Sequence, residues 1–290
     1  MTARILTAKP LVERTKAKLI QKCESFKARG ITPSMAVVLV GDNPASLTYI
    51  KNKKKLCEEV GARFELHQLS DEVSEKEFLS LMDKLNRDSE IHGIIIQLPV
   101  SESLKKLDVT NLVTPAKDID GFHSDNTQKL YRGSTNLEAL LPCTPKGIVE
   151  LLKYYQVPIE SAQVTVVGRS LIVGKPLALL LSNMCATVTM AHAKTKNLQD
   201  LTRNSDIVVV AIGKGHHLDE TYFDKTKNTV VIDVGMNTLN EKLVGDVNFE
   251  RVQDLVSAIS PVPGGVGPMT VLSLIDNLMR ATEMSLKDKK

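Results

Sequence analysis

Val166-Val167-Gly168-Arg169-Ser170-Leu171-Ile172-Val173-Gly174-Lys175-Pro176 (VVGRSLIVGKP) joins a run of β-formers to a helix-like segment. It has the glycines and basic residues of a phosphate-binding loop, at a spacing that fits neither common kind. A triphosphate loop needs GxxxxGK followed by Ser or Thr, whose hydroxyl holds Mg²⁺. Here five residues separate Gly168 from Gly174, and Pro176 stands where the hydroxyl is required. The dinucleotide pattern GxGxxG is not met either. Its physical requirements are nevertheless present. Gly168 ends a buried strand and lets the backbone turn tightly, Gly174 allows close packing, and Pro176 suits the first turn of a helix. Backbone N–H groups at such a helix start attract phosphate. An ordinary strand–turn–helix is the alternative reading of the loop alone.

The next strand sharpens the choice. It ends Met190-Ala191-His192-Ala193-Lys194, without the acid that an NAD-preferring site places there for the ribose 2′-hydroxyl. Arg169, at the tip of the turn, can bind a 2′-phosphate by charge-assisted hydrogen bonds. The loop therefore favours NADP over NAD.

Around it, AQVTVVG (Ala162–Gly168), ATVTMAH (Ala186–His192), DIVVVAIG (Asp206–Gly213) and TVVIDVG (Thr229–Gly235) read as strands, with helical segments between the first three. That is the order of a nucleotide-binding half of a doubly wound sheet. Upstream, PCTP (Pro142–Pro145) reads as a Pro-punctuated stop before a helix over 146–155. The first half also alternates: a helix from Pro10 to Arg29, the strand MAVVLVG (Met35–Gly41), a helix from Ser46 to Val60, a strand over 63–69, a helix over 75–88 and the strand HGIIIQLP (His92–Pro99). Such alternation predicts α/β layers with parallel strands. A last helix is expected over 268–282, followed by LKDKK (Leu286–Lys290) as a frayed tail.

At 290 residues the chain suits two domains of ordinary size. An apolar fraction of 42% with 24% charged residues describes a globular chain, not a disordered one. No apolar run approaches the roughly 20 residues of a membrane helix, and the N-terminus lacks a secretion signal. A cytoplasmic protein without membrane partners is expected. A net charge of +3, no Trp and 4% aromatics argue against a nucleic-acid binder. Cys23, Cys57, Cys143 and Cys185 show no CxxC or Cys/His clustering, which disfavours zinc and a disulfide framework.

Chemistry-bearing residues concentrate in the first half. Tyr49 and Lys53, four apart on an expected helix, share one face, whereas Lys51, Lys54 and Lys55 point elsewhere. Tyr-x-x-x-Lys also marks short-chain dehydrogenases, but there the glycine loop precedes the pair; here it follows by more than a hundred residues. That family is rejected, and a solvated basic helix is the competing reading. Gln97 is a polar residue at the end of an apolar strand, where an α/β sheet faces its ligand crevice; a Gln bonding to loop backbone is the equal alternative. KDIDGF (Lys117–Phe122) sets Asp118 and Asp120 before Gly121; either is a candidate turn acid. Without further acids or His at ligand spacing, a metal is rejected. SPVPGGVGPMT (Ser260–Thr270), with three prolines and three glycines, suits a wall where backbone approaches a flat ligand.

Together YIKNK, IIIQLPV, KDIDGF, PCTP, VVGRSLIVGKP, DVG, GDV and PVPGGVGPMT, in this order over residues 41–272, resemble the bifunctional methylenetetrahydrofolate dehydrogenase/methenyltetrahydrofolate cyclohydrolase family. The resemblance implies oxidation of 5,10-methylenetetrahydrofolate with NADP⁺ and hydrolysis of the methenyl product to 10-formyltetrahydrofolate. It implies a homodimer of chains with two α/β domains flanking a cleft, the second a Rossmann-like doubly wound parallel sheet. Residues 1–140 would form the folate-binding catalytic domain, with the helix from about 268 to 290 packed back onto it, and 141–267 the NADP-binding domain. By the same resemblance Tyr49 stacks on the folate, Lys53 is the general acid/base, Gln97 contacts that Lys and Asp120 hydrogen-bonds the pterin. Pro263 and Gly264 match a loop beside folate and nicotinamide. Gly168, Arg169 and Ser170 match the cofactor turn, with backbone near Met236 contributing. Ala193 departs from the Ser or basic residue that many NADP-using relatives carry there, which narrows the expected margin over NAD.

Overall fold

The computed structural model describes residues 2–135 and 139–287; residues 288–290 of the expected tail lie outside them. The chain runs β1 (Arg4–Ile5), α1 (Lys9–Lys27), β2 (Ser34–Val40), α2 (Pro44–Glu59), β3 (Arg63–Leu69), α3 (Glu75–Arg87) and β4 (Gly93–Ile96). Then come α4 (Ser124–Tyr131), α5 (Cys143–Tyr154), β5 (Gln163–Val167), α6 (Gly174–Asn183), β6 (Thr187–Ala191), α7 (Leu198–Arg203), β7 (Ile207–Val210) and β8 (Val230–Asp233). The hairpin of β9 (Asn237–Leu239) and β10 (Lys242–Val244), α8 (Phe249–Val252), β11 (Ala258–Ile259) and α9 (Val266–Lys287) follow. Among the described residues no helix is long and apolar enough to cross a membrane.

Two compact units divide the chain. One comprises Met1–Glu13, Leu130–Thr135 and Thr144–Thr270; the other comprises Arg14–Lys129, Asn136–Cys143 and Val271–Lys290. The expected boundary at residue 140 gives the N-terminus to the first domain. The structure gives residues up to Glu13 to the glycine-loop unit instead, because β1 pairs in parallel with β11, Arg4 opposite Ala258 and Ile5 opposite Ile259. Helix α5 also begins earlier than expected, at Cys143. Pro145 lies in its first turn, where a missing N–H breaks no intrahelical bond.

The glycine-loop unit is built on a six-stranded sheet of order β1-β11-β8-β7-β5-β6, with every pairing parallel. From β5 the chain goes to β6 at the edge, then returns to the other side of β5 for β7 and β8. A doubly wound sheet takes its ligand outside the carboxyl ends of the strands at this reversal. Its core gathers Val167, Val208, Val210, Val231 and Ile259 with Leu218, Val247 and Val252.

Two buried carboxylates organise the loops at that carboxyl edge. Asp246 accepts the main-chain N–H groups of Ile212 (2.7 Å), Gly213 (3.0 Å) and Lys214 (2.7 Å), and the Asn237 amide (2.9 Å). Asp233 accepts those of Gly235 (2.9 Å), Asp246 (2.9 Å) and Val247 (2.8 Å). Glycine makes room for them. A Cβ on Gly245 would lie 1.9 Å from an Asp233 oxygen, and one on Gly235 2.4 Å from the Asp246 carboxyl carbon.

The other unit holds the three-stranded parallel sheet β3-β2-β4. All seven residues of β2 are buried, as its continuous apolar run predicts for a central strand. Ala36, Val38 and Val40 pack with Ile94 and Ile96 against Phe78, Met82 and Leu85 of α3. Each large apolar side chain so buried contributes about 1.5–3 kcal/mol.

Burial pushes the Asp233 carboxyl up to about 7, against the pull of its three main-chain donors, and the Asp246 charge adds to the rise. Its folded-state value lies above the ordinary 3.8. The associated stability is thus fully present below about pH 4 and lost as pH rises through about 7. Urea denaturation of wild type and Asp233→Asn checks this: the wild type's relative stability should fall by a few kcal/mol between about pH 4 and about pH 8. A difference that does not move with pH would refute it.

Candidate active site

The segment GDNP starts α2. Gly41 adopts φ +84°, and a Cβ there would lie 2.3 Å from an Asp71 oxygen. The Asn43 side chain then accepts the N–H groups of Ala45 (3.0 Å) and Ser46 (3.2 Å), with Pro44 at the first helical position. The helix so oriented buries the stripe Ser46, Ile50, Lys53 and Cys57. Lys51, Lys54 and Lys55 are exposed, as a solvated basic face requires, but Lys53 is only 8% exposed.

A buried ammonium is costly unless polar groups receive it. Gln97 supplies one: its Oε1 accepts from Lys53 Nζ at 3.0 Å. The amide cannot present its nitrogen instead, because that nitrogen donates to the Leu98 carbonyl at 2.9 Å. Gln97 itself stands just past β4, its own N–H bonded to the Val38 carbonyl (2.8 Å). Tyr49, one turn before Lys53, is half-buried, and burial raises its phenol above the ordinary value. A phenol so shifted keeps its proton at neutral pH, so Tyr49 offers a ring face and not a base.

The two acids of KDIDGF separate by role. Asp118 is buried and accepts from the N–H groups of Gly121 (3.0 Å) and His123 (2.8 Å) and from the Asn126 amide (2.9 Å). It is the turn acid. Asp120 is the other kind: burial raises its carboxyl, the Lys53 charge acts against that rise, and the Asp118 charge adds to it. Tyr49, Lys53, Gln97 and Asp120 all belong to the three-stranded unit, with Lys53 joined to Gln97 by a hydrogen bond and to Asp120 by charge.

Gly168, Arg169, Ser170, Met236, Pro263 and Gly264 belong to the glycine-loop unit. Gly168 adopts φ +135°, and a Cβ there would lie 2.3 Å from the Ala211 carbonyl oxygen, at the reversal of strand order. A Cβ on Gly174 would lie 2.2 Å from the Gly168 oxygen. Ser170 Oγ accepts the N–H groups of Val173 (3.2 Å) and Gly174 (3.3 Å) and holds the turn that starts α6. Arg169 is exposed beyond β5, and Lys194 is exposed beyond the adjacent β6. No carboxylate stands in either turn. These features fit a dinucleotide with an extra phosphate: backbone close enough for the ligand, and cations without a competing acid. Met236 follows β8 and is 41% exposed. Pro263 follows a cis peptide bond and Gly264 adopts φ +106°. Among the described residues no cluster of His, Cys, Asp and Glu could hold a metal ion.

Family models described as the tetrahydrofolate dehydrogenase/cyclohydrolase catalytic domain and NAD(P)-binding domain match residues 6–120 and 142–286. The chain belongs to the tetrahydrofolate dehydrogenase/cyclohydrolase family. Among members of this family, a Ligilactobacillus salivarius protein named bifunctional protein FolD is 46% identical over 287 residues, covering 99% of each chain. The solved FolD of Campylobacter jejuni, a methylenetetrahydrofolate dehydrogenase/cyclohydrolase, is 40% identical with a TM-score of 0.92, covering 99% of this chain and 100% of that one. Trypanosoma brucei FolD, solved with NADP cofactor and an inhibitor, is 30% identical with a TM-score of 0.93 and 99% coverage of each.

DVG and GDV carry Asp233 and Asp246, two loop-holding acids that no local pattern in the sequence marks out beyond an acid set beside a glycine, whose missing Cβ makes room for a carboxylate. Ser170→Ala removes the acceptor of two N–H groups in the glycine turn before α6. It should raise the KM for NADP⁺ several-fold and leave the folate KM within about twofold. Steady-state kinetics varying each substrate in turn tests the split, and equal rises would count against a cofactor role.

Proposed function

We propose that this enzyme works through Lys53, held by Gln97, with Tyr49 and Asp120 receiving the folate. The chain is an NADP-dependent methylenetetrahydrofolate dehydrogenase and methenyltetrahydrofolate cyclohydrolase. The observation that carries the catalytic assignment is the buried Lys53 with its nitrogen on Gln97 Oε1.

The two reactions ask different things of the side chains. In the first, the hydride leaves a carbon already activated by its nitrogen neighbours, so the protein's task is positioning. NADP⁺, when bound, supplies the hydride acceptor; Gly168, Arg169, Ser170 and the backbone near Met236 would hold it. Pro263 and Gly264 are assigned to folate contact. In the second, water adds to a cationic methenyl bridge and the bond to the departing ring nitrogen breaks. A proton must leave the water and another must reach that nitrogen. Lys53 Nζ, as the free amine, takes one proton from the attacking water and, as the ammonium, gives it to the departing ring nitrogen; the other water proton is released to solvent as the formyl carbonyl forms, while Gln97 Oε1 fixes the direction of the lysine nitrogen. The Tyr49 ring packs on the folate, and the Asp120 carboxyl bonds its pterin nitrogens.

A homodimer joined through the glycine-loop unit is part of the same proposal. The edge position of β6 and the exposure of Met190 (41%) and Leu179 (37%) support it, and sedimentation equilibrium of the full chain tests it. The thiols of Cys23, Cys57, Cys143 and Cys185 suit a reducing cytoplasm.

Lys53→Met should abolish cyclohydrolase activity and retain part of the dehydrogenase activity. Absorbance of the methenyl intermediate, following its formation and decay separately, measures both. Equal loss of the two in a folded variant would remove Lys53 from the water chemistry. With the wild type, kcat/KM should favour NADP⁺ over NAD⁺; the reverse preference would overturn the reading of Arg169.

A further inference from the structure

Asn277 is an amide on the buried face of α9, between Asp276 and Leu278. It is fully buried, as are its neighbours Leu274, Ile275, Leu278 and Met279. A leucine at this position would serve packing alone, and a buried amide is retained without penalty only where its hydrogens find acceptors. They do: Nδ2 donates to the carbonyl oxygens of Ile119 at 2.8 Å and Leu141 at 2.9 Å.

Those two carbonyls flank the loop that carries Asp120. Ile119 is the residue before it. Gly121, the residue after it, adopts φ +76° and lies so close to Leu141 that a Cβ would be 2.3 Å from the Leu141 carbonyl carbon. Cys143 Sγ donates to the same Ile119 oxygen at 3.2 Å. Below the loop, a Cβ on Gly93 would lie 2.7 Å from Ile119 and 3.0 Å from Leu278. Asp118 holds the Gly121 and His123 N–H groups on the loop's inner side. The position of Asp120 is thus set by Asp118 from within the loop and by Asn277 from the helix.

We propose that Asn277 is a positioning residue for the folate reactions, acting through Asp120 by bridging the Ile119 and Leu141 carbonyls. This rests on the reading of Asp120 as a folate-contacting group. If the two act as one unit, loss of the bridge matters only while Asp120 still has its carboxyl to place.

A double-mutant cycle on the full chain tests it, with Asn277→Ala, Asp120→Asn and the combined variant. Asn277→Ala should raise the folate KM by about tenfold and leave the NADP⁺ KM within about twofold. In the Asp120→Asn background the same change should add less than about twofold to the folate KM. Asn277→Ser, which keeps a single hydroxyl donor, should fall between wild type and Asn277→Ala, and carries the comparison if the alanine variant does not fold. Equal rises in both KM values, or a full additional effect in the Asp120→Asn background, would overturn the positioning role. A wild-type folate KM for Asn277→Ala beside an impaired Asp120→Asn would overturn it alone. A wild-type folate KM for Asp120→Asn would overturn the reading of Asp120 and this inference with it.

Discussion

A lysine nitrogen held inside a helix's buried stripe is the constraint around which the three-stranded unit is arranged. At the position of Lys53 an apolar residue would be the more stable choice, since Ser46, Ile50 and Cys57 line the same face. Leaving a buried charge without its partner costs several kcal/mol, more than the pair itself contributes. The unit therefore fixes the partner through bonds that do not involve the lysine. Gln97 is bonded to β2 through its backbone and to Leu98 through its amide nitrogen, so its oxygen has one direction left. The helix that carries Lys53 is fixed in turn by the Asn43 cap and the close contact of Gly41 with Asp71. Stability given up at one side chain is recovered by the fully buried strand β2 beneath it.

Carboxylates divide between those that hold loops and one that does not. Asp118, Asp233 and Asp246 each take several N–H groups and so determine loop shape. Asp120 takes no main-chain N–H of the described residues; its surroundings act on it through burial and through the opposed charges of Lys53 and Asp118. A carboxyl pushed toward its neutral form can both donate and accept, which suits recognition of a heterocycle's paired nitrogen positions. Spending one acid of KDIDGF on the turn leaves the other free for that purpose.

Much of this was legible in the sequence where one local pattern dominates. Continuous β-branched runs gave the parallel strands, and four-residue spacing put Tyr49 and Lys53 on one face. Whether that face is buried was not legible, because lysines at positions 51, 53, 54 and 55 look alike until the helix is docked on its sheet. The acids of KDIDGF were likewise equivalent on spacing alone, and family resemblance chose between them. Strand β1 went unread because two residues have no periodicity, and its existence depends on a partner more than 250 residues away. The start of α5 is not legible because Pro145 reads as a stop, although a first turn tolerates proline. Asn277 is invisible for the opposite reason: a single amide beside Asp276 on a long helix carries no motif.

The glycine loop shows why its unusual spacing does not weaken the fold it announces. A dinucleotide turn needs a backbone that can reverse at the strand end, close contact between turn and helix, and a satisfied helix start. Gly168 meets the first need at φ +135° against Ala211, and Gly174 meets the second against the Gly168 oxygen. The third falls to Ser170, whose hydroxyl accepts the N–H groups of Val173 and Gly174. A side-chain oxygen takes up N–H groups at the helix start within a longer loop, and Arg169 is left exposed at its tip. The turn meets these needs without the usual glycine count, because the sheet's reversal at β5 fixes where a ligand lies, and the loop has only to leave that place open.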